Sequence, residues 1–142
     1  MALNLERLKE LLATFPKVKF ALLFGSYARG KAFPFSDLDI AILFDEEPEL
    51  LELGKMTATL EKETGLEVDI LPLNGLYERD PALAYEVITT GKLLFCRDEE
   101  AFVLYKKYTF LYYFDHQPLF ERVWADLKRR LREGKFGKLG SP

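Results

Sequence analysis

Two apolar runs flank a Gly-Ser turn, and two carboxylates spaced two residues apart open the second run; no other feature constrains the chain as much. The first run ends at Leu22, Leu23 and Phe24 and passes into Gly25, Ser26, Tyr27, Ala28, Arg29 and Gly30. The second opens with Ser36, Asp37, Leu38 and Asp39 and continues through Ile40, Ala41, Ile42, Leu43 and Phe44. Successive side chains of a strand point to opposite faces, so Asp37 and Asp39 share a face and can hold a hard cation between them. A glycine at a strand end lets a phosphate approach the backbone, and Ser26 Oγ can donate to a phosphate oxygen at the start of the turn. A phosphate cradle and a divalent-metal clamp on one surface point to chemistry on a nucleoside triphosphate. Each part has a plainer meaning when taken alone: a Gly-Ser dipeptide is an ordinary turn, and two aspartates at a strand mouth are an ordinary solvated edge.

The remaining pattern builds a sheet domain around that core. Leu5, Leu8, Leu12 and Phe15 recur at helical spacing up to Pro16, and residues 18–24 read as the first strand. A short helical turn over 26–30 and a loop over 31–36 lead to a second strand at 37–44. Leu50, Leu53, Met56 and Leu60 mark a second helix that Gly65 stops, followed by a short strand at 67–71 and a loop to Asp80. Pro81 opens a helix that Gly91 ends, and residues 92–96 form a fourth strand. From Asp98 the chain is helical, first in an aromatic stretch and then in a helix carrying Leu119, Val123, Leu127 and Leu131, before a frayed tail at 136–142. This order describes an α/β or α+β domain over residues 1–97, with a C-terminal helical extension over 98–142 packed on it as part of the same domain.

Composition removes several classes of function. A formal net charge of -3 argues against a general nucleic-acid binder. One cysteine, Cys96, excludes an intramolecular disulfide, and one histidine, His116, leaves too few soft ligands for structural zinc. No apolar run approaches the roughly 20 residues of a spanning helix, so no membrane partner is expected and the cytoplasm is the expected compartment.

A third carboxylate, Asp69, stands among Val68, Ile70 and Leu71. Inside so apolar a strand it either faces solvent or is paired, because burying it alone is expensive. If that strand lies beside the second one, Asp69 reaches the same metals and can help deprotonate an attacking hydroxyl.

Gly25-Ser26, ten intervening residues, Asp37-x-Asp39 and then an aspartate in a hydrophobic strand together resemble the polymerase-beta-like nucleotidyltransferase superfamily. The small size, the Gly25 to Gly30 turn, the Val68 to Leu71 strand and the segment Gly91, Lys92, Leu93, Leu94, Phe95 before an aromatic helix are similar to the minimal nucleotidyltransferases. Many of these are MntA-type antitoxins paired with a HEPN-domain toxin of the HepT kind. The resemblance implies a small mixed sheet with packed helices and transfer of AMP from ATP to a tyrosine of the HEPN ribonuclease. It implies that Gly25 and Ser26 hold the triphosphate, that Asp37 and Asp39 hold two Mg2+, and that Asp69 completes the metal site and assists the nucleophile. Arg29, three residues after Ser26, is within reach of the triphosphate but equally reads as a solvated cation; Lys31 shares the ambiguity. The same site could serve a small-molecule transferase of the aminoglycoside kind, or persist in an antitoxin that only binds its toxin.

Two further stretches stay open. The aromatic residues Tyr105, Tyr108, Phe110, Tyr112, Tyr113 and Phe114 suit either a core or a partner surface where the toxin makes contact, and an oligomer of the chain is left open. The basic run Lys128, Arg129, Arg130, Arg132 is a solvated helix face, or else meets an acidic partner or RNA bound to the toxin.

Overall fold

The computed structural model describes residues 4–28, 30, 37–115, 125–126, 128–130 and 132. Arg29, Lys31, His116, the loop at 31–36, most of the final helix and the tail lie outside the described residues. The described elements run α1 (Leu5–Ala13), β1 (Val18–Phe24), β2 (Leu38–Phe44), α2 (Leu50–Thr64), β3 (Val68–Pro72), α3 (Leu76–Arg79), α4 (Pro81–Thr90), β4 (Lys92–Cys96) and α5 (Glu99–Asp115). All four strands join one sheet in the order β3-β2-β1-β4. β1 is antiparallel to both β2 and β4, whereas β2 and β3 run parallel, so the sheet is mixed. Parallel neighbours need a crossover, and α2 supplies it.

Helices cover both faces. On one, Leu8, Leu11 and Leu12 of α1 and Met56 and Leu60 of α2 pack against Val18, Ala21, Leu23, Leu38, Ile40 and Ile42. On the other, Leu76, Ala84, Val87 and Tyr105 pack against Phe20, Leu22, Ala41 and Leu73. The central strands β1 and β2 are therefore buried on both sides, which is why their sequences run apolar without the alternation of a half-exposed strand. Lys19 is the exception in β1, and it coincides with a register shift between Val18 and Phe20.

Ends are set by local chemistry. Asn4 Oδ1 accepts from the Arg7 N–H (3.1 Å), Asp80 caps α4 ahead of Pro81, and Asp98 Oδ1 accepts from Ala101 N–H (3.0 Å) at the start of α5. Gly65 closes α2 at φ 71°, a left-handed conformation suited to glycine. The sequence reading leaves 72–80 as loop, but residues Leu76–Arg79 form the single turn α3. Four residues are too few to show a helical period, and the turn is held by burying Leu76 and by packing Tyr77 against Tyr105 (ring centroids 5.1 Å apart). β2 and β3 each begin one residue later than expected, at Leu38 and Val68.

The aromatic helix has a buried side and an outward side. Tyr105 is buried against Phe20, and its hydroxyl donates to the Leu73 carbonyl (2.6 Å). Thr109, one turn on, is fully buried. Leu104, Tyr108 and Leu111, each 41% exposed, turn outward. Where the basic run is described, Arg129 and Arg130 pair with Asp126 one turn back, as a solvated face does.

Arg97, just past β4, ties the start of β1 to the rest of the sheet. Its guanidinium donates to the carbonyls of Ala13 (2.7 Å), Phe15 (3.0 Å), Pro16 (2.9 Å) and Val18 (2.7 Å). It thereby satisfies carbonyls left over at the end of α1, where a positive charge also meets the helix dipole favourably. Arg97→Ala is expected to cost about 1.5–3 kcal/mol of stability, the range for hydrogen bonds to charged groups, and Arg97→Lys to recover only part of it, since an ammonium lacks the planar fork. Urea denaturation of the three proteins reads both effects.

Candidate active site

The turn after β1 and the starts of β2 and β3 meet at one end of the sheet. There Asp39 stands opposite Phe24, the last residue of β1, and beside Asp69 of β3. Asp39 follows the alternation of β2 onto the face that carries Ala41, so it lies on the side of α4 and α5 but beyond the buried cluster beneath them. Asp69 shares that face two residues before Leu71. Asp37 precedes β2 by one residue and is exposed, whereas Asp39 is half-buried. Strand register sets Asp39 beside Asp69, and Asp37 lies at the same end of the sheet, one residue outside β2.

Gly25 completes the contact. It takes φ +74°, and a Cβ added to it would collide with Asp39 Oδ2. Any side chain there would be strained and would displace the carboxylate as well. Ser26 follows it, half-buried, in a turn whose Ala28 is buried against the α1–α2 side of the core. Sequence analysis assigns this glycine to phosphate approach; the structure adds that it makes room for Asp39. Arg29 lies outside the described residues.

Electrostatics tie the carboxylates together. Burial raises the Asp39 carboxyl above the ordinary range, and the charges of Asp69 and Asp37 raise it further. All three causes disfavour the ionised form, as expected where hard oxygen donors are gathered at one rim of the sheet. A small divalent cation fits such a donor set. Among the described residues, no three Asp, Glu, His or Cys side chains are grouped to hold a metal ion by themselves. Mg2+ in phosphoryl-transfer sites is held by one or two carboxylates together with substrate phosphates, so two aspartates suffice for the protein's share.

Glu67 enters this group without having been singled out in the sequence. Its backbone carbonyl accepts from Leu38 N–H (2.8 Å), which sets Glu67 abreast of Asp37. Its carboxyl is pushed up, first by a hydrogen bond with the Asp37 side chain and then by that residue's charge. The available signal was spacing: Glu67-x-Asp69 repeats Asp37-x-Asp39 on the next strand. An apolar cavity of about 180 Å3, lined by Phe15, Phe44, Pro48, Leu53 and Met56 among others, lies toward the opposite ends of β1 and β2 and is separate from this group.

Two outcomes test the geometry. With Asp39 raised in the folded state, the metal-free protein binds more protons than the unfolded chain between the ordinary value of 3.8 and the raised one, so stability falls as pH rises through that window. Asp39→Asn is therefore expected to raise the melting temperature in EDTA at neutral pH and to flatten that part of the pH profile in thermal melts. Gly25→Ala is expected to cost at least about 1 kcal/mol, more than a glycine-to-alanine change at an unstrained position. Denaturant titration measures it.

Comparison with known proteins agrees with this architecture. The chain covers 64% of a Methanocaldococcus jannaschii relative provisionally named a protein adenylyltransferase (43% identity over 60 residues, 42% of this chain) and 54% of protein adenylyltransferase MntA of Thermococcus cleftensis (43% over 53 residues, 37% of this chain). It therefore spans less than two thirds of either. A crystal structure of a toxin-antitoxin with AMP-PNP shares the fold at a TM-score of 0.68 and 23% identity, over 92% of this chain and 98% of that one. So does a structure of a tri-AMPylated Shewanella oneidensis HEPN toxin in complex with MNT antitoxin, at 0.61 and 21%, over 92% and 94%. The family model for polymerase beta nucleotidyltransferases matches residues 6–100, about two thirds of the sequence and every strand of the sheet. With the carboxylates, the glycine turn and the mixed sheet in place, the chain belongs to the polymerase beta nucleotidyltransferase family.

Proposed function

We propose that this chain is a Mg2+-dependent protein adenylyltransferase. It moves AMP from ATP to a tyrosine hydroxyl of a HEPN-domain toxin in the cytoplasm and so acts as the antitoxin. The observation that carries the reading is the pairing of Asp39 with Asp69 on adjacent parallel strands, with Gly25 opened against Asp39. Support for the acceptor comes from relatives named as protein adenylyltransferases and from the shared fold of a chain crystallised in a HEPN–MNT complex whose toxin is tri-AMPylated. Among the described residues, no helix is long and apolar enough to cross a membrane.

In this reading the backbone at Gly25 and Ser26 Oγ bind the triphosphate, with Arg29 as a second-rank contact. Asp37 and Asp39 hold the metal, and Asp69, abreast of Asp39, completes the site and accepts the proton of the attacking hydroxyl. Bound there, Mg2+ supplies charge neutralisation at the attacking and leaving oxygens. The tyrosine oxygen forms a bond to the α-phosphorus, the bond to the bridging β-oxygen breaks, and pyrophosphate leaves. No covalent protein nucleophile is required. Cys96 is half-buried at the end of β4, its thiol pushed up by burial, and takes no part.

The test is the intact mass of a HEPN partner after incubation with ATP, Mg2+ and either the wild type or Asp37→Asn/Asp39→Asn. Gain of one or more AMP units with the wild type, and a loss of at least about a hundredfold in rate with the double variant, is the expected result. Toxin that is neutralised without any mass change would identify a masking antitoxin. Modification of aminoglycosides in place of the protein would identify a small-molecule enzyme.

A further inference from the structure

At the end of the sheet away from the aspartates, the α1–α2 side carries an open apolar cavity of about 180 Å3, lined by Phe15, Phe44, Pro48, Leu53 and Met56 among others. Leu50 and Leu51 open the helix that supplies Leu53 and Met56, and they are the two most exposed large hydrophobic residues among those described. Exposed leucines beside an open apolar cavity mark a contact surface. Nothing in the transfer chemistry uses it, since the cavity lies at the opposite ends of β1 and β2 from Gly25 and Asp39.

The charge around the cavity says what kind of segment covers it. Asp45, Glu46, Glu47, Glu49 and Glu52 all belong to the stretch that leads into α2 and its first turn. Lys17, which also lines the cavity, is already shared between Glu52 (3.1 Å) and Glu46 (3.5 Å). Asp45, Glu47 and Glu49 are exposed and form no ion pair among the described residues. An apolar centre edged by carboxylates is complementary to a basic segment that carries apolar anchors.

The same chain contains such a segment. Residues 128–139 hold six basic residues and one acidic, with Leu131, Phe136 and Leu139 spaced among them, in a chain whose net charge is -3. Arg129 and Arg130 reach back to Asp126, but exposed pairs of this kind bind weakly and leave the segment strongly positive. α5, the element before it, packs on the α4 side of the sheet, whereas the cavity is on the α1–α2 side. The sheet therefore stands between this segment's root and the cavity of its own chain, and a second copy presents the cavity without that detour. We propose that residues 128–139 of one copy dock on the cavity of a second copy, with Phe136 as the anchor and the basic side chains against Asp45, Glu47 and Glu49. An aromatic residue between Lys135 and Lys138 is the natural anchor, and reciprocal docking closes as a two-fold dimer.

The test is sedimentation velocity of the full chain over a range of concentrations, with methyl NMR of 13C-labelled methionine run alongside. Met56 lines the cavity and Met1 is the only other methionine, so one signal reports the cavity. The expected result is a monomer that becomes a dimer as concentration rises, with the Met56 signal moving in step and the association weakening in high salt. Asp45→Lys/Glu47→Lys and Lys135→Glu/Lys138→Glu are each expected to weaken association at least about tenfold. An equal mixture of the two variants is expected to restore it, because each segment then meets a cavity of opposite charge. Phe136→Ala should hold the Met56 signal at its dilute position, and thermal melts of dilute protein check that every variant is folded. A monomer at all concentrations would overturn the proposal. So would a dimer that both charge changes leave intact, which would seat the copies on another surface such as the outward side of α5. A Met56 shift that depends on Phe136 but not on concentration would place the segment on its own chain, and one that appears only with a HEPN partner would give the surface to the toxin; either result overturns it.

Discussion

The register of β2 against β3 is the constraint on which the candidate site depends. Side chains alternate along a strand, so a slip of one residue in this parallel pair would turn Asp69 to the opposite face and leave Asp39 facing a hydrophobic neighbour. Apolar residues on both faces punish such a slip, because Val68 and Ile70 pack toward the α1–α2 side while Leu71 packs toward α4 and α5. Polar pins reinforce it. Leu73 N–H donates to the Ile42 carbonyl (2.8 Å), and Asn74 uses its side-chain amide to accept from and donate to the backbone of Phe44, 3.0 Å each way. Both pins sit beyond the far end of the pairing from the aspartates, and at the near end Leu38 N–H donates to the Glu67 carbonyl (2.8 Å).

The cost of that register is electrostatic. Bringing Asp39 beside Asp69, with Asp37 close by, forces like charges together where burial already disfavours ionisation. The strands can carry this because their interiors are among the best packed parts of the protein: Phe20, Ala21, Ile40, Ala41 and Ile42 are all fully buried. Gly25 carries a second local cost, giving up a side chain and taking a left-handed conformation so that Asp39 Oδ2 has room. Like-charge repulsion and a bare glycine gathered at one rim, supported by a sheet covered on both faces, fit the usual relation between a site and its scaffold.

Much of this was legible along the chain, and what was not has a physical reason. The four strands and the helices around them followed from apolar runs, proline and glycine punctuation and capping residues such as Asp80 and Asp98, all of which are local signals. Asp37, Asp39 and Asp69 were legible as candidate residues because charges inside apolar strands must go somewhere, and their meeting was implied only by the family resemblance. Strand order was not, since β3 joins β2 and β4 joins β1 through contacts distant in sequence. The turn α3 was too short to have a period, and the division of α5 into a buried side at Tyr105 and Thr109 and an outward side at Leu104 and Leu111 depends on where α3 and α4 lie. Glu67 escaped notice because its meaning comes from the pairing that sets it beside Asp37. Read along its own strand, it is one more exposed glutamate.

The charge arrangement also bears on the choice between an enzyme and a protein that only covers its partner. A masking surface needs exposed contact residues, and the chain has these on α5 and at Leu50 and Leu51, which are 86% and 68% exposed at the start of α2. None of those residues depends on the rim of the sheet. Nothing in such a role calls for Asp39 to be ionised between burial and two like charges, nor for Gly25 to be bare beside it. Both features cost stability, and in the proposed function a cation between the carboxylates and a phosphate at the turn would offset that cost. The proposed adenylyltransferase gives both features a use, as a site whose stabilisation its ligands would complete, and the masking alternative does not.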